Sequence, residues 1–221
     1  MPDHYQPTSR RPIAEAFRRT ARWTVRFCVR YRIHPDAISY ASLVASAFAA
    51  ACFLFAARFP ALLLIGPLLC FLRLWFNMLD GMVAVDSGKA SRRGEILNDL
   101  PDRFSDVIVF TAVAESGLCH APLGYWTAIA AVLTAYVGTL SQAVGAPRQF
   151  GGLMSKPWRM VVLAIGSWTA WAVIVGHVEW PTRWSPLDYA CSVIIAGCVQ
   201  TIAVRLKRTL RALCTENQKS T

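Results

Sequence analysis

Residues 73–84 read Arg73-Leu-Trp-Phe-Asn77-Met-Leu-Asp80-Gly81-Met-Val-Ala84, and residues 94–106 read Gly94-Glu-Ile-Leu-Asn98-Asp99-Leu-Pro-Asp102-Arg-Phe-Ser-Asp106. On a helix Arg73, Asn77, Asp80 and Ala84 fall on one face, being four, three and four residues apart. Asn98, Asp102 and Asp106 share a face of a second helix, with Asp99 beside them. The first stretch ends a long apolar run and the second begins another. Polar side chains so placed are costly in a membrane and are functional candidates by default.

The rest of the chain fits that reading. Its 221 residues are 55% hydrophobic and 16% charged, with a mean hydropathy of +0.38. Soluble domains carry about 25% charged residues. So few charges exclude a disordered chain, and a soluble core of this size could not hide so much apolar surface. The expected fold class is an all-α integral membrane protein. Spans take about 20 mainly apolar residues. Six are expected: Ile38–Ala57, Ala61–Ala84, Leu100–Leu118, Leu123–Ala143, Met160–His177 and Leu187–Val204.

Before them, Ile13 to Tyr31 reads as an amphipathic interfacial helix. Ile13, Ala16, Phe17, Thr20, Phe27, Cys28 and Tyr31 mark one side; Arg18, Arg19, Arg22, Arg26 and Arg30 mark the other. The alternative, a soluble nucleic-acid arm, does not suit the apolar runs that follow. The net charge of +10 therefore points to anionic headgroups and topology, with no nucleic acid as partner. The expected organisation is a cytoplasmic tail and surface helix at 1–34, a six-span domain at 35–205 and a tail at 206–221. No secretory signal is expected, because the first thirty residues are Arg-rich without an apolar core.

Lys89, Arg92, Arg93, Arg148, Lys156, Arg159, Arg205, Lys207, Arg208 and Arg211 alternate with loops carrying only Arg58 and Arg183. The positive-inside bias then puts both termini in the cytoplasm. Trp180, Trp184 and Tyr189 suit the outer interface. Of seven cysteines, only Cys119 is expected to face an oxidising compartment, with no obvious partner there.

The oxygen-rich set Asn77, Asp80, Asn98 and Asp102 suits Mg²⁺ or Mn²⁺, ions that bridge to substrate phosphates. Gly81 and Gly94 leave backbone open to close approach by a nucleotide. Simpler readings accompany these. Asp99 could stabilise a helix N-terminus, Arg73 could pair with Asp80 or snorkel, Asp106 could be a polar anchor, and Lys156 and Arg159 could only fix topology.

At these residues the chain resembles the CDP-alcohol phosphotransferase family. That signature runs Asp, two residues, Asp-Gly, two residues, Ala-Arg, about eight residues, Gly, three residues, Asp, three residues, Asp. Asn77, Asp80-Gly81, Ala84, Gly94, Asn98 and Asp102 fall on it, while Asn77, Val85 and Asn98 depart from it. A bacterial subgroup has Asn at the first and third acidic positions, and the chain looks most like that subgroup. His34-Pro35-Asp36-Ala37-Ile38-Ser39 and Gly152-Leu-Met-Ser-Lys156-Pro157-Trp-Arg159 resemble two further segments of the family, so almost the whole chain is covered.

The resemblance implies a bacterial inner-membrane enzyme, a homodimer. It would transfer phosphatidyl from CDP-diacylglycerol to a small polar alcohol with release of CMP. Asn77, Asp80, Asn98 and Asp102 would hold metal, and Asp102 would also take the proton from the attacking hydroxyl. Gly81, Ala84, Gly94, Arg73, Asp99, Lys156 and Arg159 are the substrate-binding candidates. Asp99 could replace the third carboxylate, and Lys89, Arg92 or Arg93 could make up for the Arg missing at Val85. The two asparagines also admit a non-catalytic member that binds CDP-lipid or a partner. An intramembrane prenyltransferase, suggested by Asn98-Asp99-x-x-Asp102, would need a second acidic motif. Glu115, Glu179 and Asp188 do not form one.

Overall fold

The computed structural model describes residues 23–88 and 92–217, without the side chains of 92, 93, 95, 97, 98 and 215–217. The described chain is all-helical: α1 (23–30), α2 (Pro35–Leu54), α3 (Leu62–Asp86), α4 (Arg92–Glu115), α5 (Ala121–Ala143), α6 (Lys156–Val175) and α7 (Pro186–Asn217). Four of these starts carry Pro at or beside the first helical position, at Pro35, Pro122, Pro157 and Pro186. There the missing N–H costs nothing, because it would have no helical partner.

Five helices are long and apolar enough to cross a membrane: α2, α3, α5, α6 and α7 through Cys214. The sequence reading expected six. The difference is α4, whose inner half carries Asp99, Asp102, Arg103 and Asp106 and fails on composition. Its helix also starts at Arg92, eight residues before the expected span. At the other end of the chain, α7 runs through position 205 and continues as helix to Asn217. At 1.5 Å per residue its 32 residues extend about 48 Å, past a hydrocarbon core of about 30 Å.

The long helices pack in a closed ring, in the order α2, α4, α5, α7, α6, α3 and back to α2. Small residues let neighbours approach. A Cβ on Gly124 would strike the backbone of Ala114, bringing α5 onto α4, and one on Gly166 would strike Ala190, bringing α6 onto α7. The apolar core holds Phe53, Leu63, Phe110, Val113, Leu163, Leu187 and Ile194. By contrast α3 and α4 touch each other only sparsely, and the polar side chains of both helices occupy the space between them.

Most of the expected surface helix, residues 13–22, lies outside the described residues. Its end, α1, buries Val25 and Cys28 against Ile38, Leu79 and Val83. Trp23, Phe27 and Tyr31 form an exposed aromatic stripe, with ring centroids 6.3 and 4.5 Å apart in sequence order. The inward face is thus Val25 and Cys28; of the side that periodicity marked, Cys28 turns inward while Phe27 and Tyr31 stay exposed. Arg26, Val29 and Arg30 line a cleft with Asp86 from the end of α3.

At the end of the bundle remote from the paired motifs, Cys119 does have a neighbour: its sulfur lies 3.9 Å from that of Cys191 on α7. The two are 72 residues apart in sequence, which hid the pairing.

Candidate functional site

The site is built from α2, α3, α4 and the start of α6. Ser39, Ser42 and Ser46 make a buried polar stripe on one face of α2, spaced three and four apart. Ser39 donates to Asp80 Oδ2 at 2.5 Å and Ser42 donates to the Arg73 carbonyl at 3.3 Å. The other oxygen of Asp80, Oδ1, accepts from the Gly81 N–H at 2.6 Å. The serines were not among the expected site residues, although a serine every helical turn in an apolar span was the signal for them.

Arg73 is fully buried and has three oxygen acceptors. Its guanidinium donates to Asp106 Oδ1 at 2.9 Å, to the Asp102 carbonyl at 2.9 Å and to Asp102 Oδ1 at 3.4 Å. It neither snorkels nor pairs with Asp80, because both of its carboxylate partners come from α4. Asp106 spends its second oxygen on Arg159, 2.7 Å away. With each oxygen held by a different guanidinium, Asp106 is a polar anchor joining α3, α4 and α6.

Lys156 is the other cation. Its ammonium donates to Asn77 Oδ1 at 2.6 Å and pairs with Asp102 Oδ2. Lys156 and Arg159 are both buried, which excludes the reading in which they serve topology alone. Their aim is set from α7. Gly152 adopts φ +109 with Thr201 against it, a position no side chain would fit. Beyond it the Met154 N–H donates to Thr201 at 2.9 Å, and Arg205 donates to the carbonyls of Gly151 and Thr134. This pinned loop delivers Lys156 and Arg159 at the first turn of α6.

Asp99 points elsewhere. It accepts from Arg103 at 2.7 Å and from Arg148 at 3.0 Å. It also lies seven residues into α4, past the first turn where the helix dipole acts, so a role at the helix N-terminus is excluded. Gly81 and Ala84 occupy the last turns of α3 and Gly94 the first turn of α4. Asn98 follows on the same helix, its side chain outside the described residues, as are those of Arg92 and Arg93; Lys89 lies in the undescribed turn.

As a metal centre, Asn77, Asp80 and Asp102 offer the hard oxygen donors that Mg²⁺ or Mn²⁺ prefers. Only Asp80 and Asp102 among them are acidic side chains. Among the described residues no three His, Cys, Asp or Glu side chains converge as a ready metal set. The donor types fit such an ion, and the remaining ligands would have to come from a substrate phosphate or water.

No protein-family model matches the chain. It is 26% identical to the inner membrane protein YnbA of Escherichia coli over 184 residues, 83% of this chain and 88% of that one. It is 30% identical to the phosphatidylinositol phosphate synthase of Mycobacteroides abscessus over 149 residues, 64% of this chain and 63% of that one. These synthases belong to the CDP-alcohol phosphotransferase family. Among solved structures, it superposes on Mycobacterium tuberculosis phosphatidylinositol phosphate synthase with CDP-DAG bound, at TM-score 0.67 and 23% identity, covering 84% of this chain and 91% of that one. The same synthase with manganese and citrate gives 0.68 at 23% identity, covering 85 and 87%. The chain has the fold of that synthase.

Proposed function

We propose that this chain is a phosphatidyltransferase of phospholipid synthesis. It moves the phosphatidyl group of CDP-diacylglycerol to the hydroxyl of a small polar alcohol and releases CMP. One observation carries the reading: Asn77 of α3, Asp102 of α4 and Lys156 of α6 meet, with Asp80 one turn beyond Asn77, in a fold shared with a synthase crystallised with CDP-DAG. The asparagines at 77 and 98 support assignment to the bacterial subgroup that carries both.

In this reading α4 is the sixth span, sheltered by its neighbours, and α1 ends a surface helix whose aromatic stripe lies at the headgroups. Both termini are cytoplasmic, so the site opens where CDP-linked donors are made. The working unit is a homodimer in the bacterial inner membrane. Asn77, Asp80, Asn98 and Asp102 would hold Mg²⁺ or Mn²⁺, which when bound neutralises charge on the donor diphosphate. Asp102 takes the proton of the acceptor hydroxyl as its oxygen attacks the phosphatidyl phosphorus and the bond to CMP breaks. Arg73 and Arg159 hold α3, α4 and α6 in register through Asp106.

The test is CMP release by the purified protein with Mg²⁺ or Mn²⁺ and a pool of acceptor alcohols, followed by lipid mass spectrometry. A new phospholipid formed together with CMP is expected. Donor binding without CMP from any acceptor would instead make it a non-catalytic CDP-lipid binder. The Lys156 contact that caps Asp102 is the feature favouring that second reading.

A further inference from the structure

Asp80, Asp102 and Asp106 are the three buried carboxylates of the cluster, and Arg73, Lys156 and Arg159 are its three buried cations. The partnerships are direct. Asp106 is held by Arg73 and Arg159, and Asp102 by Lys156 and Arg73. Asp80 lies one helical turn beyond Asn77, whose side chain accepts from Lys156. Among the described residues the cluster thus holds as many basic as acidic side chains before any metal arrives. A divalent cation entering a buried site whose carboxylates already face cations gains little Coulomb energy to offset its dehydration.

We propose that Lys156 is a resident cation that keeps the site from holding a divalent metal ion until an anionic diphosphate arrives. This rests on the function proposed above and deepens it. The two arginines are locked by Asp106, but Lys156 reaches its partners on a flexible four-carbon stem. When the diphosphate enters, its negative charge recruits the metal and draws the ammonium away. Asp102 Oδ2 is then uncovered at the step that needs a base. Metal and donor thus bind with positive coupling, each raising the affinity for the other by the same factor. The capped Asp102 of the resting protein accounts for how a base can be stored paired in a buried site.

The experiment is Mn²⁺ binding by electron paramagnetic resonance on the full chain in detergent or nanodiscs, with and without CDP as a soluble diphosphate. The parent is expected to bind Mn²⁺ weakly alone and at least about tenfold more tightly with CDP, since one added unit charge at contact distance is worth that much or more. Lys156→Met should bind Mn²⁺ at least about tenfold more tightly than the parent without CDP, and Lys156→Arg should behave like the parent. Asn77→Asp adds the opposite charge with Lys156 in place and should also tighten Mn²⁺, which covers the case in which Lys156→Met does not fold. Equal Mn²⁺ affinity in parent, Lys156→Met and Asn77→Asp overturns the inference. So does a Lys156→Met protein whose Mn²⁺ affinity is unmoved while only its KM for the acceptor rises, because Lys156 would then be an acceptor ligand. These readouts need no turnover: absence of CMP release would remove the transferase reading and leave the metal result to stand or fall separately.

Discussion

The bundle has a polar cluster at each end, and the two are held in different ways. At the end away from the proposed site, Asp188 is 1% exposed and accepts from the His120 N–H at 2.7 Å and the Ser185 N–H at 2.7 Å, with the His120 ring 2.8 Å away. Ser185 in turn accepts from the Asp188 N–H at 3.1 Å. Ser185 and Asp188 therefore form a reciprocal cap on α7 around Pro186. Two of the donors to Asp188 are backbone groups fixed by the local fold. At the other end Asp102 is held by Arg73 and Lys156, side chains from two other helices. A carboxylate tied by backbone donors is structural; one covered by a lysine tip can be uncovered. Burial alone does not separate the two cases, but the identity of the donors does.

The largest effect that would break this contrast is at Asp102. Asp102→Asn removes the proposed proton acceptor while keeping the shape, and turnover per folded protein should fall by about 10²–10⁴-fold. Asp188→Asn, matched in burial and chemistry, should leave turnover per folded protein near that of the parent. Rates of CMP release for the two variants check the pair. Comparable losses in both would erase the distinction between the two ends.

Asp106 sharpens the comparison within the inner cluster, since it behaves like the outer aspartate in being fully committed. Asp106→Asn leaves Arg73 and Arg159 buried with one neutral partner between them. Removing one member of a buried ion pair costs about 3–5 kcal/mol, so thermal unfolding in detergent should drop markedly and folded yield with it. A variant as stable as the parent would mean that the clamp does not hold α3, α4 and α6 together.

How far the sequence could anticipate this depends on the separation of the partners. The helical faces of α3 and α4 were legible because their partners are three or four residues apart, and so were the boundaries of α2, α3, α5 and α6 to within a few residues. The pairing of Arg73 with Asp102 and Asp106 was not, because the faces give no helix-to-helix register and Asp80 is nearer in sequence. Lys156 reads as a topology signal until the pinned loop after Gly152 turns it inward. Ser185-Pro186-Leu187-Asp188 carried the cap in plain view, yet Asp188 reads as isolated when the search is for acidic clusters. The Cys119–Cys191 contact joins the loop before α5 to the first turns of α7 and has no local signature. Composition sets α4 apart from the five apolar helices, because it carries charges that neighbouring helices partner.

The outer cap gives the next smaller effect. Asp188→Ala strips two backbone N–H groups of their acceptor and should cost about 1–3 kcal/mol. Asp188→Asn should recover part of that, since its carbonyl oxygen can still accept one of them. Thermal unfolding of both variants, read beside turnover, checks the order. Loss of turnover per folded molecule in either would tie the outer end to the site, which the separate hydrogen-bond networks do not.

Asp99 is expected to give the smallest effect, and it decides whether the site has a third carboxylate. It sits beside the motif in sequence and could have supplied the charge missing at Asn98, but its side chain is one-third exposed and paired with Arg103 and Arg148. Such part-exposed pairs contribute about 0–1 kcal/mol. Asp99→Asn should therefore shift stability by less than that and leave the Mn²⁺ concentration for half-maximal binding with CDP unchanged. If it were a metal ligand, losing its charge would raise that concentration by about tenfold or more. A rise of that size would place Asp99 with Asp80 and Asp102 and require the pairing with Arg103 and Arg148 to open when metal binds. The even balance of acidic and basic side chains in the inner cluster, and the role given to Lys156, would then have to be recast with a fourth carboxylate in it.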